Sequence, residues 1–374
     1  MTSDVAHNLA QTATAPPLTA TRRIDLDFVR GVAILLALGW HFNGRDTGLP
    51  WLDPLQLPGR TFGWAGVDLF FVLSGFLVGG LIFNEYALSG AFSARRFLVR
   101  RAFKIWPVLY LYIALLVLTG RYGWIEVVPQ TLFHVQNFFL TPLNHLWSLA
   151  VEEHFYLGFA AVFVWFLRRR SPRLTLVPRV LIGLMLIVPL LRCWAFAADV
   201  PAHSLQVQTQ FRIDAMACGV LLAYLRVFVP TFFAALVRQK MWWALATGCG
   251  VLYLTTTRGS TGLLVTIGYT ISYITGMSFL LFVYGNRFVV NRNSFARALA
   301  WLGTYSYAMY VFQFVAFRAG EALWNRLGTA PIPALAELLI RYVGAIVVAV
   351  VITKLLERPL LLLRDRLFPT VPAS

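Results

Sequence analysis

The stretch LDFVRGVAILLALGWHF, Leu26 to Phe42, decides the fold class. Its length and apolar character predict a membrane-depth helix, yet it carries Arg30 and His41. These two residues are eleven positions apart. At 3.6 residues per turn and 1.5 Å per residue they fall within roughly 20° of one face and about 16 Å apart along the axis. One cation and one imidazole therefore share a stripe at two depths. Ionisable groups at such depth line a cavity or a pathway. The alternative is an Arg that snorkels to the headgroups and an interfacial His.

The rest of the chain extends the same pattern. Of 374 residues 59% are hydrophobic and 13% charged, and mean hydropathy is +0.69, so the expected class is an all-α, polytopic membrane protein. Twelve Trp and fourteen Tyr suit interfacial belts. A net charge of +16 raises the question of a nucleic-acid partner, but the cations lie between apolar spans and form no basic domain, so no nucleic acid is expected. Cys193, Cys218 and Cys249 show no metal-ligand spacing and imply neither a disulfide framework nor a metal.

Residues 1–20 are small and polar with two prolines and no signal-peptide apolar core, which predicts a disordered cytoplasmic tail. A transmembrane domain over 21–367 and a short tail, 368–374, follow. About ten spans are expected, near 27–43, 63–84, 104–120, 147–167, 177–197, 211–229, 241–257, 261–284, 299–319 and 334–356. With both termini cytoplasmic, 23 Lys and Arg fall inside and 9 outside, which favours that orientation in a cell inner (plasma) membrane.

Drawn in this topology, the polar motifs converge. His41, Asp68 of GVDLFFVLSGFL, Glu152 and Glu153 of WSLAVEEHFYL, and Arg212 and Asp214 of FRIDAMACG all fall toward the outer side. Carboxylates crowded at depth can orient an imidazole for proton abstraction. A structural network of Arg212 with Asp214 or Glu153 is the alternative. Toward the inner side FLVRRAFKIWP brings Arg100, Arg101 and Lys104 to the start of a span, beside Arg95 and Arg96. Such a fork suits phosphate oxygens. Positive-inside topology with contacts to anionic membrane lipids explains it equally.

These segments resemble the acyltransferase-3 membrane acyltransferases, which O-acylate polysaccharides and other exported or hydrophobic acceptors. The resemblance runs from Asp25 to Leu367 and rests on LDFVRGVAILLALGWH, GVDLFFVLSGFL, FLVRRAFKIWP, LWSLAVEEHFYL, FRIDAMACGVLLA, LGTYSYAMYVFQF and ERPL in that order. It implies an acyl-coenzyme A donor, usually acetyl-CoA, with His41 catalytic and Glu153 a functional carboxylate. It also implies that Arg30, Arg100, Arg101 and Lys104 handle the donor. Two positions depart from the pattern: Gln313 stands where many relatives have His, and His154 where Gln is usual. Many relatives also carry a C-terminal hydrolase-like domain, whereas this chain stops at Ser374, so transfer is expected to be completed alone or with a separate partner.

The expected reaction moves an acyl group from a cytoplasmic thioester to a hydroxyl of a polysaccharide, oligosaccharide or lipid-linked acceptor. His41 takes the hydroxyl proton, with Asp68, Glu153 or Asp214 orienting the ring, and Arg212 steadies negative charge or neutralises a carboxylate. A covalent acyl-His intermediate is a variant. A transporter or flippase is the rival class, although no paired, Gly/Pro-broken helices in two related halves are visible. The sequence leaves a homo-oligomer open.

Overall fold

The computed structural model describes residues 23–42, 46–169, 174–256, 261–328 and 331–369. The expected tail at 1–20, most of that at 368–374, and Arg22, Arg45, Arg170, Arg173 and Arg258 of the charge count lie outside them. Of the described residues 84% are helical, and none lies in a strand. The principal helices are α1 (Ile24–Phe42), α2 (Ala65–Ser89), α3 (Ala94–Leu118), α4 (Trp147–Leu167), α5 (Leu176–Ala197), α6 (Ile213–Phe228), α7 (Lys240–Thr256), α8 (Tyr269–Gly285), α9 (Ser306–Leu327) and α10 (Ala334–Ile352).

Six segments among the described residues are long and apolar enough to cross a membrane outright. They contain α2, α3, α4, α5, α8 and α10, and a seventh arises if α6 is counted with the helix Pro230–Arg238, from which it is bent by 117°. The chain is therefore a multi-pass membrane protein. Charge explains why α1 falls outside this set: Asp25, Asp27 and Arg30 crowd its first two turns. Protein, not lipid, surrounds the two carboxylates. Asp25 and Asp27 are buried, Asp25 is held by Arg23 at 2.5 Å, and Val29, Ala33, Ile34 and Leu38 are fully enclosed. Around α1 pack α2, α9 and the short helices Asp53–Phe62 and Ser294–Gly303.

Three expected spans are bounded differently. The α3 helix begins at Ala94, ten residues before the apolar stretch, because Ser93 caps it by accepting the Arg96 N–H at 3.3 Å, and Arg and Lys are good helix formers. The expected span from 299 is two helices, ending at Gly303 and restarting at Ser306. At the last span, α10 continues through a π turn, Thr353–Glu357, into Arg358–Leu367. The whole is 34 residues. At 1.5 Å per residue it is about 51 Å long, well beyond a hydrocarbon core of about 30 Å.

The centre of the bundle is the seam between α2 and α6. A Cβ added at Gly219 would lie 2.0 Å from the Val72 carbonyl oxygen, and one at Gly75 would lie 2.1 Å from that of Met216. Each helix thus lets the other's backbone into contact, the association that small residues permit between membrane helices. Around it Phe71, Phe76 and Phe83 are completely buried. Gly158 on α4, by contrast, faces open space. Gly219→Val should therefore lower the thermal midpoint of detergent-purified protein by the equivalent of about 1–3 kcal/mol or more, while Gly158→Val leaves it within error. Equal midpoints for the two variants would contradict this account of the seam.

Candidate active site

Two cavities are strung along the same helices. The first, about 130 Å³, is lined by Arg30 of α1, Ser74 of α2, Arg101 and Lys104 of α3, Ser148 and Glu152 of α4, and Tyr307 and Tyr310 of α9, among others. The second, about 650 Å³, is lined by Trp40 and His41 of α1, Tyr112 and Leu116 of α3, Trp147 of α4 and Phe314 and Arg318 of α9, with Asn144 and His145 from the turn before α4. Each of α1, α3, α4 and α9 thus contributes to both. Arg30 and His41 do share a helix path, one in each cavity.

Tyr310 and Ser148 stand between the two. The Tyr310 hydroxyl donates its only proton to the His145 carbonyl, which can only accept. The Ser148 hydroxyl, 2.9 Å away, must then donate to the Tyr310 oxygen. The Tyr310 ring lies 6.0 Å from that of His41, and His145 and Phe314 complete an aromatic shell at 6.5 and 5.7 Å. His145 in turn lies 3.4 Å from the Tyr112 hydroxyl.

Gln313, not a carboxylate, orients His41. Its Oε1 lies 3.0 Å from His41 Nδ1, and its Nε2 donates to the Tyr310 carbonyl at 2.9 Å. The second bond fixes which way the amide points. A carbonyl oxygen then faces Nδ1, so Nδ1 carries the proton and Nε2 keeps its lone pair. Gln313 is fully buried, which holds this arrangement. Sequence reasoning leaves the position in doubt because the histidine of relatives is expected there, and a contact 272 residues away in sequence carries no local signal.

The expected carboxylate layer separates into different environments. Asp68 pairs with Arg212 at 2.5 Å and Asp214 with Arg192 at 2.8 Å, all four nearly or wholly excluded from solvent. None of them lines either cavity. Arg212 also lies 3.6 Å over the Tyr269 ring, and Arg192 donates to the Phe211 carbonyl at 2.6 Å. They tie α2, α5 and the start of α6 together. Trp147, which lines the His41 cavity, stands 5.3 Å from the Arg212 guanidinium. Arg192 had been counted only as a topological cation.

Neighbouring residues on a helix point about 100° apart, and this divides two more pairs. Glu152 lines the smaller cavity, accepting from Ser74 at 3.1 Å and Tyr156 at 2.9 Å. Glu153, the carboxylate implied by the resemblance, is buried outside both cavities, facing Trp106. Likewise Arg101 enters the cavity, whereas Arg100 turns away to Asp365 at 2.8 Å and to the Phe368 carbonyl. Lys104 lines the cavity but is paired with Glu357 of the ERPL segment. Arg101 has no carboxylate within 4 Å among the described residues, only the Phe97 and Tyr156 rings at 5.7 and 5.6 Å. It is the free cation of the cluster. No group of three or more His, Cys, Asp or Glu able to hold a metal ion occurs among the described residues.

Comparison with known proteins places the chain in a family. A family model described as an acyltransferase domain, the acyltransferase-3 class, matches residues 23–354. The chain is 32% identical over 189 residues to O-acetyltransferase OatA of Staphylococcus aureus strain NCTC 8325, covering 44% of this chain and 29% of that protein. It is 29% identical over 230 residues to SACOL0978 of S. aureus strain COL, provisionally named an O-acetyltransferase, covering 54% of this chain and 34% of that one. The chain thus spans about a third of the length of these relatives. No solved structure matches it.

The buried pairs generate a test. Asp68→Ala leaves the Arg212 charge buried and unpaired, which should cost about 3–5 kcal/mol and abolish monodisperse protein in size-exclusion chromatography. Asp68→Ala combined with Arg212→Met should recover most of the folded yield. A stable Asp68→Ala protein that loses only activity would remove the structural assignment.

Proposed function

The chain belongs to the acyltransferase-3 family of membrane acyltransferases, and on that premise we propose that it transfers an acetyl group from cytoplasmic acetyl-coenzyme A to an acceptor hydroxyl at His41. The observation that carries this reading is the pair of cavities, cationic and imidazole-bearing, threaded along α1, α3, α4 and α9 and divided by Tyr310. A thioester donor has phosphates at one end and its reactive carbon at the other. Arg101, with Arg30 and Lys104, suits the phosphates, bidentate for Arg and point-like for Lys. The about 16 Å from Arg30 to His41 along α1 suits an extended pantetheine arm. For the arm to reach His41, the hydrogen bonds that Tyr310 makes to Ser148 and the His145 carbonyl must give way.

In the chemical step His41 Nε2 takes the proton of the acceptor hydroxyl as its oxygen attacks the thioester carbonyl. The C–S bond breaks, and the departing thiolate recovers the proton from the imidazolium. Gln313 keeps Nδ1 protonated throughout and so holds the ring in the basic tautomer. Glu152 balances the cations of the donor cavity, while Asp68, Arg212, Asp214 and Arg192 frame the bundle. Glu153 and Arg100 act through their neighbours and not on the reacting atoms. The acceptor is a polysaccharide, oligosaccharide or lipid-linked sugar, and the aromatic walls of the larger cavity suit the faces of sugar rings.

We assign the ends of the bundle by the positive-inside rule: ten spans in a cell inner membrane, both termini cytoplasmic, the donor cavity toward the cytoplasm and His41 toward the far side. Donor and acceptor then arrive from opposite faces.

Acceptor-dependent release of free coenzyme A from purified protein tests the reaction. His41→Ala should lower the turnover about 10²- to 10⁴-fold with folding intact, and Arg101→Gln should raise the donor KM with little change in that of the acceptor. Wild-type rates from His41→Ala would end the catalytic assignment. The sidedness is tested in sealed, oriented vesicles. Donor on the cytoplasmic side alone should support acylation, and a thiol placed by Thr47→Cys should be labelled only from the far side. Labelling from the cytoplasmic side would reverse the orientation.

A further inference from the structure

We propose that the His41 cavity selects an acceptor sugar bearing an anionic group, a carboxylate or a phosphate, and that Arg121 and Arg318 hold it. The inference rests on the acyl-transfer reading and narrows its substrate class. Among the described residues the cavity lining contains these two guanidinium groups and no Asp or Glu. Both arginines are exposed at the mouth. Neither has a carboxylate within 4 Å among the described residues, and Arg121 has only the Tyr122 ring at 5.5 Å. The nearest carboxylates in sequence are otherwise placed. Glu126 accepts the Gly123 N–H at 3.2 Å, and Glu321, one turn from Arg318, makes no ion pair with it.

The cations are not explained by topology. Arg121 and Arg318 belong to the minority of nine that the proposed orientation puts outside, where the positive-inside rule depletes them. A cation just past a helix C-terminus complements the helix dipole, which gives Arg121 a structural use after Leu118. Arg318 lies in the middle of α9 and has no such use. The other lining groups suit a saccharide: the Asn144 and Gln206 amides for hydroxyls, and the Trp40 and Tyr112 rings for the apolar faces of a pyranose. A neutral glycan would need the amides and rings but not the guanidinium pair. Carboxylate and phosphate are the groups a guanidinium fork grips in two-point fashion.

Three glucose tetrasaccharides, one neutral, one ending in glucuronate and one in glucose 6-phosphate, decide the matter. Each is offered to detergent-purified full chain with acetyl-coenzyme A, and coenzyme A release is recorded. Binding without donor is followed in parallel by tryptophan fluorescence. The wild type should favour at least one anionic probe over the neutral one by about ten-fold or more in acceptor KM or Kd, and added salt should erode the preference. Which anionic probe is favoured identifies the group. The double variant Arg121→Gln, Arg318→Gln should lose the preference while keeping its donor KM. No preference in the wild type, in either readout, overturns the inference, as does a double variant that keeps the preference. Coenzyme A release without charge preference leaves acyl transfer standing. Anionic preference in binding with no release for any probe sinks acyl transfer and keeps the cavity's specificity.

Discussion

The ion pairs Asp68–Arg212 and Asp214–Arg192 impose the constraint that the rest of the bundle obeys: a charge at membrane depth has to be met by protein. Meeting it draws α2, α5 and α6 together, and the glycine seam at Gly75 and Gly219 lets α2 and α6 close completely. The same requirement encloses α1, whose Asp25, Asp27 and Arg30 would be costly against lipid. With α1 enclosed, Arg30 and His41 necessarily open onto internal space. The very apolar α10 is left for the periphery, where little of its surface is buried.

From that arrangement the site acquires two unlike halves. One holds cations of which only Arg101 is free of a carboxylate partner among the described residues; the other holds an imidazole whose tautomer is fixed by an amide. An amide is well suited to this task. A carboxylate at Nδ1 would also raise the basicity of the ring but would add another charge to be compensated at depth. Gln313 orients the ring without that charge. Ser148 is hydrogen-bonded to Tyr310, and Tyr310 to the His145 carbonyl, so the partition between the halves has specific bonds to break when it opens.

Much of this was legible in the sequence. Hydropathy identified a helical membrane protein, the order of motifs identified the family, and the Arg30–His41 spacing marked a path through the interior. What remained hidden was direction around a helix axis. Arg100 and Arg101, or Glu152 and Glu153, are adjacent letters with opposite fates, and hydropathy does not say which of a pair faces inward when both flanks are apolar. Partners across helices were equally hidden. Arg192 sits in an apolar run with nothing nearby to announce Asp214, and Glu357 lies more than two hundred residues from Lys104. Boundaries shifted where a cap such as Ser93, and not hydropathy, set the start.

The π turn at Thr353–Glu357 has a consequence of a different kind. A π turn takes one additional residue into a helix, so it advances the phase of everything after it by about 100° relative to an unbroken α-helix. Before the turn, α10 sets Ala345 and Ala349 against the bundle and turns Val343, Val347 and Val351 outward. At its last residue and beyond it, Glu357 and Asp365 fall on the side of Lys104 and Arg100. A single slip of phase thus lets one rod answer to two solvents, with the lipid-facing pattern and the acidic pattern each free to vary without disturbing the other.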